Sequence, residues 1–374
     1  MDYSEIYKDC QWMDFKELRE FMKDVLIMSR IPENDAEIIT NILIESDKRG
    51  IDSHGIGRLK PIYIDRLDAG IVNPVTKIDV LKDTVTTAVL DGNNGMGHVV
   101  SQKAMELAIE KAREFGMGMV AVRNSTHYGI AGYYTSMACK AGMIGMVGTN
   151  ARPSTAPTFG VENMLGTNPL TIGLPTDEEF DFNLDCATSV SQRGKIEVYE
   201  REGKELPQGW VIDENGNSRT DTSQVLVDLT TGKAALTPLG GLGDITAGYK
   251  GYGYSTVVEV LSAALQDGKF MKDLNGFDEN GNKIPYPLGH FFMAINTDFF
   301  MGEKIFRSIA GAIMRSLRDS KKAPGQKKIY TAGEKEYLAR KYREKHGCPI
   351  PVALQEQMVE LRNRWNLDYQ FKWE

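Results

Sequence analysis

The sequence predicts an α/β fold, on three observations. An amphipathic helix over residues 99–115, with Ala104, Leu107, Ala108 and Ala112 on one side, runs into an apolar strand at 117–122. A small-residue helix at 131–141 runs into a second buried strand at 144–147. Beyond residue 150, short apolar runs alternate with stretches rich in Gly, Pro, Thr and Asn. Strands alternating with helices of this length are the unit from which helix-covered sheets are built.

In chain order, residues 14–30 and 33–49 read as two amphipathic helices separated at Pro32. Ile38, Ile39, Ile42 and Leu43 form the apolar stripe of the second, and Gly50 suits the residue just past a helix end. Residues 75–91 alternate, with Ile78, Val80, Val85, Ala88 and Leu90 apolar, as a hairpin of strands does. A polar turn at 124–127 joins the strand at 117–122 to the small-residue helix. Short strands follow at 170–174 and 182–185, then a helix at 254–265. Two Asn-Gly pairs and a Pro-Tyr-Pro make residues 273–289 a long surface excursion. A buried strand at 293–295 leads into residues 299–317, and about 40 final residues read as helical, polar and peripheral. This divides the chain into a helical N-terminal region at 1–75, an α/β core at 76–330 and a helical tail at 331–374. A chain of 374 residues is long enough for two lobes.

Composition removes several classes of function. A net charge of -7, with no block of Lys and Arg interleaved with aromatics, argues against nucleic acid as the main partner. No apolar run approaches the length that spans a bilayer, and Met1 to Glu5 show no basic start of a secretory signal. The four cysteines, Cys10, Cys139, Cys186 and Cys348, are scattered and form neither a zinc ribbon nor a disulfide framework. The cytoplasm is the expected compartment.

The chemistry concentrates first in residues 50–63, where His54, Arg58 and Tyr63 share one glycine-flanked stretch. Imidazole gives and takes protons near neutrality, and a guanidinium matches a carboxylate in two parallel hydrogen bonds. Together they suit a small acid whose neighbouring carbon gains or loses a proton; a capped loop with a surface His and a solvated Arg is the plainer alternative. His127 follows a strand and precedes a helix, a place for a ligand-facing side chain or for a structural one bonded to its loop. Asp185 ends a strand before Cys186-Ala-Thr-Ser189, where it can hold an imidazole or a ribose, or cap the next turn. Lys250, between glycines at a helix start, can reach a phosphate or sit in solvent. His98 reads as a helix-start residue, and His290 and His346 carry no distinguishing signal.

Three familiar designs are absent. No G-x-G-x-x-G joins a strand to a helix; Gly95-Met-Gly97 and Gly241-Leu-Gly243 each lack the third glycine. No G-x-S-x-G offers a nucleophile elbow. A metal held by Asp52, His54, His127 and Asp185 lacks any H-E-x-x-H, H-x-H or carboxylate cluster, so no metal is expected.

Seven segments in order resemble the type-2 malate/L-lactate dehydrogenase family, whose members include ureidoglycolate, sulfolactate and diketogulonate enzymes and a cyclic-imine reductase. They are Asp52-Ser-His-Gly-Ile-Gly-Arg58, Val120-Ala-Val-Arg-Asn-Ser-Thr-His-Tyr-Gly129, Gly166-Thr-Asn-Pro169, Asp185-Cys-Ala-Thr-Ser189, Gly194-Lys-Ile-Glu197, Pro238-Leu-Gly-Gly241 and Tyr249-Lys-Gly-Tyr-Gly253. Their order and spacing cover most of residues 35–335. Three positions depart from the pattern. Tyr63 lies one residue further from Arg58, Cys186 replaces the usual Met, and Ala332 replaces Pro in a late Pro-Gly-Glu/Gln element.

The resemblance implies a non-Rossmann nicotinamide-binding fold with a mixed central sheet, usually an intertwined homodimer, and so accounts for the missing glycine fingerprint. It places the proton donor on His54 beside Ser53 and the substrate carboxylate on Arg58. His127 falls on the nicotinamide side with an acid/base role, and Tyr63 lies near the substrate. Asp185, Cys186, Ala187, Lys250 and Gly251 match positions that contact the cofactor, with Gly333 and Glu334 in the late element. The implied reaction is reversible hydride transfer between NAD or NADP, with NAD preferred, and C2 of a small 2-oxo acid of malate or lactate type. In the reducing direction His54 acts as the imidazolium, with His127 or Asp185 setting orientation or charge. A cyclic imino acid or a larger 2-oxo acid is the alternative acceptor, and a metal-dependent hydrolase or lyase is a further one.

Overall fold

A computed structural model describes residues 7–374; residues 1–6, which include those read for a secretory signal, lie outside the described residues. After a short strand, β1 (Gln11–Met13), the first helix, α1 (Phe15–Met28), is capped by Asp14, whose carboxylate accepts from the N–H of Lys16 at 2.8 Å. Its stripe of Leu18, Phe21, Met22, Val25 and Leu26 is fully buried against α2 (Glu33–Lys48). Past Arg49, Gly50 takes φ +73°, and Ile51 N–H reaches back to the Ser46 carbonyl at 2.9 Å, which closes α2 as expected. The chain then coils through a 3₁₀ turn (Ile56–Arg58), a π turn (Leu59–Ile64) and α3 (Asp65–Asp68).

The sheet begins with β2 (Asp79–Asp83) and β3 (Thr87–Asp91), the expected hairpin. From β3 the chain crosses over through α4 (Gly97–Phe115) to β4 (Met117–Ser125), which pairs parallel with β3, as a helical crossover permits. Gly116, at φ +84°, ends α4 where a side chain would strike Phe299. After α5 (Ala131–Lys140) come β5 (Met143–Thr149), β6 (Leu170–Leu174) and β7 (Phe182–Cys186), each antiparallel to its neighbour.

A smaller unit follows: α6 (Arg193–Arg201), β8 (Val211–Asp213), β9 (Ser218–Arg219), α7 (Thr222–Thr231) and β10 (Ala234–Leu236), closed around Ile196, Leu206, Val211 and Val225. Then α8 (Gly248–Ala263) leads through the 273–289 excursion to β11 (Leu288–Asn296). β11 returns to the middle of the sheet and pairs antiparallel with both β4 and β5, which gives the order β2-β3-β4-β11-β5-β6-β7. The central sheet is therefore mixed, as expected, and β7 is an edge.

The chain ends with α9 (Glu303–Asp319), α10 (Glu334–His346), β12 (Cys348–Ile350) and α11 (Val352–Trp365). These last elements are helical as expected but not peripheral. β12 pairs with β1; Met358, Leu361 and Phe371 join the α1–α2 core, and Tyr369 and Phe371 meet the Phe21 ring edge-on at 5.3 and 5.4 Å. The sequence hides this because polar α10 buries no large apolar side chain, only Glu334, Ala339 and Arg343. Its buried guanidinium donates to the Asp47 carbonyl at 2.6 Å and to Asp52 Oδ2 at 2.9 Å. Asp47 in turn accepts from Ile56 N–H at 2.8 Å, so tail and α2 jointly hold the loop that carries His54. The 254–265 helix begins earlier than expected, so Lys250 lies within its first turn. Among the described residues, no helix is long and apolar enough to cross a membrane.

Candidate active site

The loop from Ser53 to Arg58 folds tightly because Gly55 has no side chain: a Cβ there would lie 1.8 Å from the Asp47 carboxylate. Ser53 Oγ sits 2.8 Å from His54 Nδ1, which fixes the ring by that nitrogen. The His54 and His127 rings stack with centroids 5.6 Å apart and planes 20° apart. Arg58 is tied through Nε to the Ser53 carbonyl, and its Nη2 reaches toward Gly194 at the start of α6. Among the described residues no carboxylate pairs with Arg58.

His127 is held from the other side. The buried Tyr63 hydroxyl lies 2.7 Å from His127 Nδ1, and Gly129 N–H points at the same nitrogen at 3.4 Å. With a backbone donor aimed at it, Nδ1 is the acceptor, so Tyr63 donates and the ring proton sits on Nε2. Tyr63 thus orients His127.

The loop bearing His127 rests on the start of α4, and Gly97 makes that possible. Its N–H donates to Thr126 Oγ1 at 2.9 Å, and a Cβ would come within 2.1 Å of the Thr126 carbonyl and 2.6 Å of that of His127. Gly95-Met-Gly97, no nucleotide fingerprint, is a packing site for a chemical loop. Gly97→Ala should therefore lower stability by about 1–3 kcal/mol and depress kcat by moving His127. An unchanged thermal midpoint together with wild-type kcat would contradict this.

Asp185 stands on the exposed edge strand β7, where it caps no following turn. It accepts from the N–H of Gly132, in the first turn of α5, at 2.7 Å and from Thr171 Oγ1 at 2.9 Å. It bonds neither histidine, and its negative charge favours the protonated form of His54. Just beyond, Leu239 N–H donates to the Thr188 carbonyl at 2.8 Å, and Gly251 packs so closely on Leu239 that a Cβ would meet its carbonyl at 2.2 Å. The segment Asp185–Ala187 and the N-terminal turn of α8, with exposed Lys250, are thus joined through one loop. From the other flank Gly333, at φ +90°, lies against Asn183, whose N–H meets the Ala332 carbonyl at 3.3 Å. Glu334 is buried and paired with Lys328. A helix N-terminus, an exposed amine and glycines at close backbone approaches fit the phosphates of a dinucleotide.

Residues 13–359 match the malate/L-lactate dehydrogenase family. Malate dehydrogenase of Pyrococcus abyssi is 43% identical over 348 residues, 93% of each chain. L-sulfolactate dehydrogenase of Methanocaldococcus jannaschii is 37% identical over 352 residues, 94% of this chain and 96% of that one. The crystal structure of malate dehydrogenase from Entamoeba histolytica aligns with a TM-score of 0.93 at 44% identity, over 97% of this chain and all of the other. The chain belongs to the malate/L-lactate dehydrogenase family. It is a 2-hydroxyacid dehydrogenase, on a fold that is not the doubly wound parallel sheet of Rossmann enzymes: within the mixed sheet β3 and β4 are the only neighbouring strands that pair in parallel among the described residues.

This family member carries a third histidine at its site that the sequence marked only as a helix start. His98 is fully buried, its ring edge-on to Tyr63 at 4.8 Å, and neither ring nitrogen has a partner among the described residues. Nothing in the local pattern announced it, because contact with Tyr63 depends on how α4 crosses the coil after α2. Desolvation pushes the His98 pKa down to about 3. Desolvation by surrounding protein, then the Arg58 charge, lowers that of His54 to about 4. His127 is driven in the same direction by desolvation and by His54 and Arg66. His290, bonded to Thr149 Oγ1 at 2.7 Å inside the sheet, falls to about 3.

These shifts set the sign of acid sensitivity. Below about pH 6.5, the unfolded chain protonates these histidines while the native chain resists until about pH 3–4. Stability is thus full above pH 6.5 and declines as pH falls, by about 1–2 kcal/mol per buried histidine at pH 5. Asp47, and to a smaller extent Asp35 and Glu259, whose carboxyls burial raises, work in the opposite direction. Thermal midpoints from pH 7 to pH 5 should drop; a level or rising midpoint would contradict the assignment.

Proposed function

We propose that the protein transfers hydride reversibly between nicotinamide and C2 of a small 2-oxo acid, with oxaloacetate and malate as the first pair. The observation that carries this reading is the stacked pair His54–His127 beside Arg58, a cation without a carboxylate of its own. The names of the relatives, malate and sulfolactate dehydrogenases, support the choice of acid.

When bound, the nicotinamide supplies or accepts the hydride; the protein supplies position, a proton and charge. Asp185, Cys186, Ala187, Lys250 and Gly251, with Gly333 and Glu334 behind β7, would hold it. Arg58 grips the substrate carboxylate with its planar fork. His54 Nε2 exchanges the proton with the C2 oxygen, Ser53 holding Nδ1. At neutral pH, Arg58 and desolvation keep His54 mainly as neutral imidazole, the form that takes the hydroxyl proton in oxidation. A substrate carboxylate that neutralises Arg58 raises the His54 pKa, which supplies imidazolium for reduction. His127, locked by Tyr63, sets the orientation of the acceptor.

NAD is taken ahead of NADP. A homodimer is supported by two apolar helix faces left open in one chain: Tyr254, Val257 and Val260 on α8, and Ile305, Ile309, Ile313 and Leu317 on α9.

The test is loss of reduced-nicotinamide absorbance on adding oxaloacetate, pyruvate or a cyclic imino acid, with NADH and NADPH in parallel. Oxidation with oxaloacetate supports the reading. A folded protein that binds neither nucleotide would end it.

A further inference from the structure

Two arginines, one of them beside His127, have no anion to serve. Arg66, half-buried, lies three residues beyond Tyr63 and shares one small recess with Tyr63, Met96, Thr126 and His127. Arg152 approaches from the loop after β5. Their guanidiniums converge on one aromatic ring: Arg66 Cζ is 5.0 Å and Arg152 Cζ 5.6 Å from the centroid of Tyr286. Among the described residues, neither has a hydrogen-bond or carboxylate partner. The Tyr286 hydroxyl is buried and equally unpartnered.

This gathering is built by the chain. Tyr286 and Phe277, whose ring lies 5.2 Å from Arg152, both come from the 273–289 excursion. The Asn150 side chain accepts from Gly289 N–H at 2.8 Å, which pins the end of the excursion beside the loop of Arg152. The excursion is therefore only partly a surface feature, since it delivers Tyr286 to the interior. Two cations over one ring repel, and a buried hydroxyl without an acceptor is costly. Desolvation, and further the charge of Arg66, press the Arg152 pKa downward. An anion received here would relieve all three groups.

We propose that Arg66 and Arg152, with the Tyr286 hydroxyl, form a second anion subsite on the His127 side of the active site, which takes the far acidic group of a 2-oxo diacid while Arg58 takes the carboxylate next to the carbonyl. The inference rests on the dehydrogenase reading and deepens it by naming the side chains that select a diacid over a monoacid. It makes Arg66 and Arg152 specificity-determining residues, whose contribution appears only when the substrate carries a second negative charge. A far carboxylate and a far sulfonate share the chemistry that a guanidinium fork recognises.

The experiment measures kcat/KM of wild type, Arg66→Gln and Arg152→Gln for oxaloacetate, 3-sulfopyruvate and pyruvate with one nicotinamide. Each variant should lose about tenfold to a hundredfold on a diacid, mainly through KM, and change by less than about threefold on pyruvate. Loss on oxaloacetate alone identifies the carboxylate as the natural group; loss on both diacids admits the sulfonate too. Tyr286→Phe removes only the hydroxyl, and should raise diacid KM several-fold without moving the thermal midpoint. Equal losses on diacid and pyruvate, or no loss on either, would overturn the subsite. So would a wild type that uses pyruvate as efficiently as oxaloacetate. A wild type that reduces no 2-oxo acid would instead sink the dehydrogenase reading, and this inference with it.

Discussion

His54→Ala should lower kcat by about two to four orders of magnitude, while the affinity for reduced nicotinamide stays within about twofold of wild type. The ring lies against His127 and is anchored by Ser53, and neither contact carries the fold: the buried core of α1, α2 and the tail closes behind the loop without it. The loss is therefore chemical, the removal of the imidazole that Ser53 holds through Nδ1 with Nε2 left to exchange a proton. His127→Ala should lower kcat less, because His127 orients the acceptor and leaves proton transfer to His54. Steady-state kinetics with nucleotide binding by fluorescence checks both. A His54→Ala enzyme within tenfold of wild-type kcat would remove the proton role.

Arg58→Lys has the second largest expected effect, an increase in KM for the 2-oxo acid of about tenfold to a hundredfold with a smaller change in kcat. Lysine keeps the charge but loses the planar fork and the bond from Nε to the Ser53 carbonyl, so both grip and loop geometry suffer. The His54 environment changes with it. Arg58 is one of the groups that hold the His54 pKa low, and moving the cation away shifts the limb of the kcat/KM profile that His54 sets to higher pH, the alkaline limb in reduction and the acid limb in oxidation. An unchanged KM would take Arg58 out of the substrate site.

The fold was legible where the pattern is local. The α1–α2 pair, the β2–β3 hairpin and the run from α4 to β5 follow from apolar periodicity and from helix-end glycines such as Gly50. What failed to show was long-range. The place of β11 in the middle of the sheet, between strands more than a hundred residues earlier, leaves no trace in its own residues. The polar α10 looks peripheral until Arg343 is seen to reach Asp47 and Asp52.

The site divides in the same way. His54, Ser53 and Arg58 are neighbours in sequence and in space, so their grouping was readable, and His127 could be suspected from its place between strand and helix. Tyr63 was read beside the substrate; its bond to His127 spans 64 residues. Asp185 was read as a cap for its own turn or a partner of imidazole, whereas it caps the first turn of α5 across the sheet. His98, Arg66 and Arg152 carried no local signal, because each matters through a ring or a cation from another element.

The most direct measurement reduces oxaloacetate with reduced nicotinamide carrying deuterium at both C4 positions and locates the label in the product by NMR. Direct hydride transfer gives malate with one deuterium on C2 per nicotinamide oxidised, and none of it exchanged with solvent. Nicotinamide oxidation without deuterium at C2, or no malate at all from a protein that binds the cofactor, would contradict hydride transfer to a 2-oxo diacid.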